Sequence, residues 1–403
     1  VTPPARHPRV SVPVVTVPPH AIPHPELVEA VRDRYERVFP PGSPRSRAVE
    51  RALTMAGRLA IDVHPMHLRT EEIMGMRGFA ARNAAAWEAF HAYAVPAARA
   101  ALDSVGRGGA DIDLVVLESS TLLSMPAPIS ALSQALGLRP DCAALPVSGM
   151  GCRGGAHAIT LAHTWIRAHP GHTVLIVTAD TASPHFHVET ELDEAGLVGN
   201  IVSSALFSDA AAAAVVSTSL EEGVELLDIT RYEVPGTADA ITWVVTDEGP
   251  RFRLTTDAVR SIPAVAPALR ALLSRQGWTG ADLAVCALHA GGNNIIRDVQ
   301  HTLGLEAHQV APAWRSLLRG NLMSSAVLDA IALIAADPAL RPEWGAPLLG
   351  AGFGPGFGTD SFLGRALLPT TRAAAADHTT MVRGDVAVGR PWGPRIEREE
   401  SHA

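Results

Sequence analysis

Two hydrophobic rhythms alternate along this chain: short continuous apolar runs that read as buried strands, and longer stretches with apolar residues at helical spacing. Val10 to Val17 alternates β-branched residues with proline and reads as a first strand leading into the loop Pro18–Pro25. Glu26 to Phe39 carries Leu27, Val28, Val31, Tyr35 and Val38 on one helical face and stops at Pro40-Pro41-Gly42. Ser46 to Val63 reads as a second helix. Thr70-Glu71-Glu72 and then Ala80 to Val105 are helical too, with Trp87, Phe90, Tyr93 and Leu102 forming an apolar face that reads as core packing.

The most informative pattern is a repeat. Gly109-Ala110-Asp111-Ile112-Asp113-Leu114-Val115-Val116-Leu117-Glu118 is a turn followed by an apolar strand, and Gly280-Ala281-Asp282-Leu283-Ala284-Val285-Cys286-Ala287-Leu288-His289 follows it closely. Each copy leads to a turn and an Ala-rich helix, the first opening with Gly151-Cys152 and the second with Gly320-Asn321. A further buried strand follows each helix, Thr173 to Thr178 and Ala346 to Leu349. The halves then close with strands around Ala211 to Val216 and Ser361 to Leu368. Such duplication predicts two similar α/β halves, residues 1–220 and 221–370, with mostly parallel sheets covered by helices. Residues 371–403 mix charge and proline without apolar period and read as a peripheral or disordered tail.

Composition narrows the class of function. Hydrophobic residues make up 47% of the 403, enough for a large buried core, and the net charge of −8 comes without a dense basic stripe, which argues against nucleic acid as a partner. All 33 basic residues are arginine. Three cysteines do not make a disulfide framework, which points to the reducing cytoplasm. Neither a signal-peptide core at the start nor an apolar run long enough to span a membrane is visible. No His or Cys pair has metal-ligand spacing, and no glycine pattern follows a first strand as nucleotide binding would require.

Cys152 lies in Val147-Ser148-Gly149-Met150-Gly151-Cys152-Arg153-Gly154-Gly155, a tight turn before a helix. A helix N-terminus favours a thiolate, although a lone cysteine beside a glycine-rich turn also reads as a structural residue. Asn321 alone reads as a helix N-cap and His289 alone as a turn histidine. The duplication is what brings the three together, because two halves stacked about a pseudo-dyad face their helix starts toward each other. A cysteine with a lowered pKa, an imidazole and a non-titrating amide suit acyl transfer coupled to decarboxylation: the thiolate attacks, and two N–H donors hold a thioester or enolate oxygen. Cys142 and Cys286 read as small buried hydrophobes, and His157, His163 and His185 as structural or surface residues.

Together these residues resemble the type III polyketide synthases, the chalcone-synthase-like branch of the thiolase fold, over Val10 to Leu368. The markers are Gly151-Cys152-Arg153-Gly154-Gly155-Ala156, Ser204-Ala205-Leu206-Phe207-Ser208-Asp209, His289-Ala290-Gly291-Gly292, Gly320-Asn321 with Ser324-Ser325-Ala326, Glu343-Trp344-Gly345 and Gly352-Phe353-Gly354-Pro355-Gly356. The resemblance implies a thiolase-like duplicated fold of five αβαβα layers, a homodimer, and CoA thioesters as substrates without any cofactor. By that match Cys152 is the nucleophile, and His289 and Asn321 activate it and orient malonyl-CoA for decarboxylation. Phe207 matches a gatekeeper phenylalanine and Phe252 its partner, while Met125 matches a methionine that reaches into the neighbouring subunit. Gly354, Pro355 and Ser324 would line the cyclisation cavity, with Trp243 as a bulky wall. The lysines that contact CoA phosphate in the family are absent, and Arg51 and Arg58 fall near their place.

The chain departs from the family at Ala290, where the family has proline, and at Ser208 and Ala210, which flank Asp209 where the family has glycines. It also has one extra residue between Asn321 and Ser324. The expected activity is iterative decarboxylative Claisen condensation of an acyl-CoA starter with malonyl-CoA or a substituted malonyl-CoA, closing to a pyrone or phenolic ring. The rival is a ketoacyl synthase III-like single condensation or acyl transfer from an acyl carrier protein, whose histidine is usually followed by Gln-Ala-Asn. A degradative thiolase would need a second catalytic cysteine after Cys286, and a non-catalytic partner subunit would have lost the nucleophile.

Overall fold

The repeated Gly-Ala-Asp element builds the same turn twice. Asp111 accepts the Gly108 N–H at 2.8 Å and Asp282 the Thr279 N–H at 2.8 Å, each closing one 3₁₀ turn, Gly109–Asp111 and Gly280–Asp282. A Cβ at Gly109 would lie 2.2 Å from the Leu136 carbonyl oxygen and one at Gly280 2.1 Å from that of Leu303, so neither position admits a side chain. The computed structural model describes residues 6–255 and 262–368 and the backbone of the strand Thr379–Met381. The predicted tail therefore lies outside the described residues apart from that strand, which runs parallel to Val14–Val17.

From each turn the same strand order follows. Leu114–Glu118 runs parallel to Thr173–Asp180, and Val285–Leu288 parallel to Ala346–Gly354. The latter strands then pair antiparallel with Ala210–Ser217 and Gly358–Leu367. Arg9–Val10 pairs with Ala210–Ser217 on one side and Gly223–Glu233 on the other, joining the halves into one sheet of eleven strands. The expectation of mostly parallel sheets is thus corrected. Each half is parallel only at its first strands and closes with an antiparallel one, reached by a short return from Ala346–Gly354 to Gly358–Leu367 and by a longer segment containing the helix Glu194–Ser204 in the first half.

Side-chain alternation assigns the layers. Leu114, Val116, Val174, Ile176, Ala212 and Ala214 point to a central core, while Val115, Leu117, Leu175, Val177, Ala211 and Ala213 point to an outer one packed under Val95–Ser104 and Pro128–Leu136. In the second half Val285 and Ala287 face the central core, and Cys286 and Leu288 face Ile262–Ser274 and Asn293–Leu303. Two helices fill the centre, Gly154–Ala168 and Ala326–Ala336. The second is buried on nearly every face, as a helix between two sheets must be. The result is the five-layered, duplicated α/β arrangement.

Three local readings change. The helix expected over Ser46–Val63 is Pro44–Ala56, and Val63–Met66 is a strand paired with His20–Pro23, inside the expected loop. Ala80–Val105 divides into Phe79–Ala89, a π-helical turn Phe90–Ala94 and Val95–Ser104. Pro96 lacks the N–H that would continue the ladder, which accounts for the widened turn.

Candidate active site

Glycines at left-handed φ make the turn that delivers Cys152. Gly149 has φ +79° and Gly151 φ +50°, followed by the 3₁₀ turn Gly151–Arg153 and the helix from Gly154. The two central helices can then meet closely, since a Cβ at Gly155 would lie 2.2 Å from the Ser324 carbonyl oxygen. Asn321 is fixed from the first half of the chain: its N–H donates to the Leu206 carbonyl at 2.8 Å and its carbonyl accepts the Ser208 N–H at 3.0 Å. That two-residue ladder ties the Phe207 segment to the second half.

The three polar groups converge. Asn321 Oδ1 accepts the Met323 N–H at 2.9 Å and lies 3.1 Å from His289 Nε2, which leaves Asn321 Nδ2 to donate to Cys152 Sγ at 3.5 Å. With two N–H groups on Oδ1, the His289 proton belongs on Nε2, and Nδ1 is buried without a hydrogen-bond partner. A Cβ at Gly291 would sit 2.5 Å from the ring carbon Cε1, so glycine there makes room for the imidazole. The turn needs no proline at 290, because the Gly291 N–H closes on the His289 carbonyl at 2.9 Å.

The electrostatics correct one expectation. Burial pushes the Cys152 thiol up to about 12, with the nearby carboxyls Asp180 and Glu118 acting in the same direction. Burial also pulls His289 down to about 4, against the hydrogen bond to Asn321. The site thus holds a neutral thiol and a neutral imidazole, and not the lowered thiol pKa and adjacent imidazolium inferred from the turn alone.

Cys152, His289 and Asn321 open on one cavity of about 1080 Å³, whose wall also includes Phe207, Phe252, Trp243, Gly354, Pro355 and Arg58. Phe207 and Phe252 meet edge to face at 5.2 Å between ring centres, and Trp243 packs edge-on against His185 at 5.6 Å. Other predicted residues lie elsewhere. Ser324 is fully buried and donates to Asp180, so its hydroxyl faces the interior and not the cavity. The extra residue is absorbed at Met323 (φ +48°), a conformation costing about 1–3 kcal/mol that the bond to Asn321 Oδ1 and the burial of Leu322 and Met323 offset. Arg51 pairs with Glu194 at 3.0 Å outside the cavity. Met125 is 98% exposed and lines nothing in its own chain.

The serine and alanine flanking Asp209 also have an explanation. Neither Ser208 nor Ala210 takes positive φ, and Asp209 accepts N–H groups from His67, Ala182 and Ser183. Ser208 Oγ lies 2.9 Å from His64 Nδ1, and a Cβ at Gly320 would strike that hydroxyl at 2.2 Å. Sequence reasoning missed Thr121, Asp180, His185 and Arg297 on the cavity wall. Asp180 had a visible signal, a carboxylate ending the apolar strand Thr173–Asp180. The others had none, since each comes from a loop or helix whose direction only packing decides. No group of His, Cys, Asp and Glu able to hold a metal occurs among the described residues.

Two family models match, chalcone and stilbene synthases N-terminal domain over residues 50–219 and C-terminal domain over residues 225–368. The chain is 32% identical over 356 residues to 1,3,6,8-tetrahydroxynaphthalene synthase of Streptomyces griseus, covering 87% of this chain and 91% of that protein. It is 29% identical over 255 residues to the alpha-pyrone synthesis polyketide synthase-like Pks18 of Mycobacterium tuberculosis, covering 59% and 62%. The crystal structure of 1,3,6,8-tetrahydroxynaphthalene synthase from Streptomyces coelicolor is similar with a TM-score of 0.82 at 29% identity, over 90% of this chain and all of that one.

Proposed function

The chain belongs to the chalcone and stilbene synthase family and is a type III polyketide synthase, and from that premise we propose how its own residues carry the reaction. The activity is iterative decarboxylative condensation of an acyl-CoA starter with malonyl-CoA, an acyl transfer that needs no cofactor beyond the CoA thioesters. The single-condensation alternative is not favoured, and nothing points to a carrier-protein donor.

The observation that carries the assignment is the meeting of Cys152, Asn321 and His289 at the wall of one large cavity. With a neutral thiol in the resting site, loading couples attack to proton transfer. Sγ adds to the starter carbonyl while its proton passes to the departing CoA sulfur, and the tetrahedral oxygen is held by the N–H groups of Asn321 Nδ2 and His289 Nε2. The thioester forms on Sγ, and CoA leaves with the proton. Malonyl-CoA then loses CO2; its enolate oxygen faces the N–H groups of Asn321 and His289, and its carbon attacks the Cys152 thioester, breaking the acyl–Sγ bond so that Sγ leaves as a thiolate. The extended CoA thioester is released and reloads. Phe207 and Phe252 form the constriction of the passage, Trp243, Gly354 and Pro355 bound the space for ring closure, and Arg58 meets the CoA phosphates, bidentately as arginine can. The product is a small pyrone or phenol.

The enzyme acts as a homodimer. Support comes from Met125, 98% exposed, and from the partly exposed edge strand Ala143–Val147, where Leu145 faces outward. No described helix is long and apolar enough to cross a membrane, and the three cysteines are free, which supports a cytoplasmic enzyme. The test is incubation with a panel of acyl-CoA starters and malonyl-CoA, read by CO2 release and product mass. Cys152→Ala is expected to lose the acyl adduct seen by intact mass and all product; an adduct on that variant would refute the scheme.

A further inference from the structure

The duplication places a second ionisable group beside the nucleophile. Glu118 ends the first copy of the repeated strand where His289 follows the second. The reaction described above uses one member of that pair and leaves the other without a task. Glu118 is fully buried and is not part of the cavity wall. Its side chain lies under the start of the nucleophile helix, where a Cβ on Gly154 would come within 2.4 Å of Glu118 Cγ.

The connection from Glu118 to Cys152 is short. Glu118 Oε1 accepts the Ser120 hydroxyl proton at 2.8 Å. Ser120 Oγ accepts two backbone N–H groups in turn, from Gly149 at 3.2 Å and from Gly151 at 2.9 Å, the two left-handed glycines of the turn that presents Cys152. A hydroxyl has one proton and two lone pairs, so both lone pairs can serve the turn only while a buried acceptor takes the proton. We propose that Glu118 is a positioning residue for the nucleophile, a buried carboxyl group that holds the Gly149–Cys152 turn through Ser120.

The surroundings disfavour a charge on Glu118. Oε2 of Glu118 is buried with no hydrogen-bond partner, and the facing ionisable groups are Asp180 and Cys152. Burial and Asp180 hold Glu118 well above the usual carboxyl range, with only the Ser120 bond acting against them. A protonated Glu118 adds no negative charge beside Cys152, while its Oε1 still accepts from Ser120. Glutamine, neutral and with the same acceptor, should therefore do the same work.

The inference rests on Cys152 being the nucleophile, which Cys152→Ala tests separately: product from that variant refutes the nucleophile, whereas the Glu118 and Ser120 variants are judged only against a wild type that Cys152→Ala silences. Full-length wild type, Glu118→Leu, Glu118→Gln and Ser120→Ala are compared for kcat and KM with malonyl-CoA, and for iodoacetamide labelling of Cys152 between pH 6 and 9. Glu118→Leu and Ser120→Ala are expected to lose about tenfold or more in kcat with KM changed less than about twofold, the signature of a misplaced reacting group. Glu118→Gln is expected to restore kcat and to label Cys152 within about twofold of wild type at each pH. A Glu118→Gln that stays as slow as Glu118→Leu would overturn the positioning role, as would a Ser120→Ala of wild-type kcat. Labelling several-fold faster in Glu118→Gln would show that the carboxyl acts on Cys152 by its charge and would overturn the positioning role. Should Glu118→Leu not fold, the Gln and Ala variants decide alone.

Discussion

Cys152 and His289 are poised by what surrounds them more than by their own chemistry. Burial keeps the thiol protonated, with its ordinary value raised to about 12, and keeps the imidazole unprotonated, lowered to about 4. Between pH 5 and 9 neither group changes charge, so the imidazole stays a neutral donor through Nε2 over that range. Labelling of Cys152 in the substrate-free enzyme should follow the small thiolate fraction, rising about tenfold per pH unit from pH 7 to 9. A plateau near pH 6 to 7 would mean a thiolate already formed, with a helix terminus strong enough to overcome burial. Asn321 is suited to bridge such a pair because its two amide atoms have different tasks: Oδ1 takes the two N–H groups and Nδ2 is left for sulfur.

At the level of elements, two close backbone approaches set the site. Gly155 brings the helix after Cys152 against the backbone at Ser324, and Gly320 lets the Asn321 segment pass over Ser208 and His64. Gly155→Ala puts a methyl group 2.2 Å from a carbonyl oxygen, which neither helix can relieve without moving. Overpacking of this kind costs about 1–3 kcal/mol, so a lower denaturant midpoint is expected, with a loss of kcat because the same contact sets the distance from Cys152 to Asn321. A variant of unchanged midpoint and activity would show that the helices slide freely. The buried Arg153, next to Cys152, adds a tie between halves: it pairs with Glu233 at 2.7 Å and lies 3.7 Å from Asp360, itself bonded to His157 at 2.9 Å. His157, read as structural or surface, thus has a structural place in a cross-half hydrogen-bond network.

At the level of the whole molecule, the proposed homodimer would cover apolar surface that the single chain leaves exposed. Met125 is exposed, as is Leu145 on the edge strand Ala143–Val147, and a second chain burying them would stabilise the dimer. A mass near twice that of the single chain is expected by light scattering. Leu145→Glu should shift it toward the monomer and lower activity, whereas a monomeric wild type would refute the dimer. The five layers explain why one cavity serves both halves: the central helices begin at the same level, and the turns before them supply Cys152 from one half and Asn321 from the other.

Much of this was present in the order of residues. The repeated Gly-Ala-Asp turn and apolar strand determine the duplication, because a turn aspartate and an excluded side chain at glycine are local requirements. Duplication in turn names Cys152, His289 and Asn321. Tertiary structure alone decided the rest. Whether Ser324 faces the cavity or Asp180, whether Arg51 is free or paired with Glu194, and whether the thiol is raised or lowered all depend on which groups from distant segments surround the side chain. Glu118 shows the division most clearly. Its place at the end of a repeated strand is visible in the sequence, but its tie to the Cys152 turn exists only because Ser120, Gly149 and Gly151 fold onto it. Periodicity encodes elements, whereas burial and hydrogen-bond partners arise from packing between them.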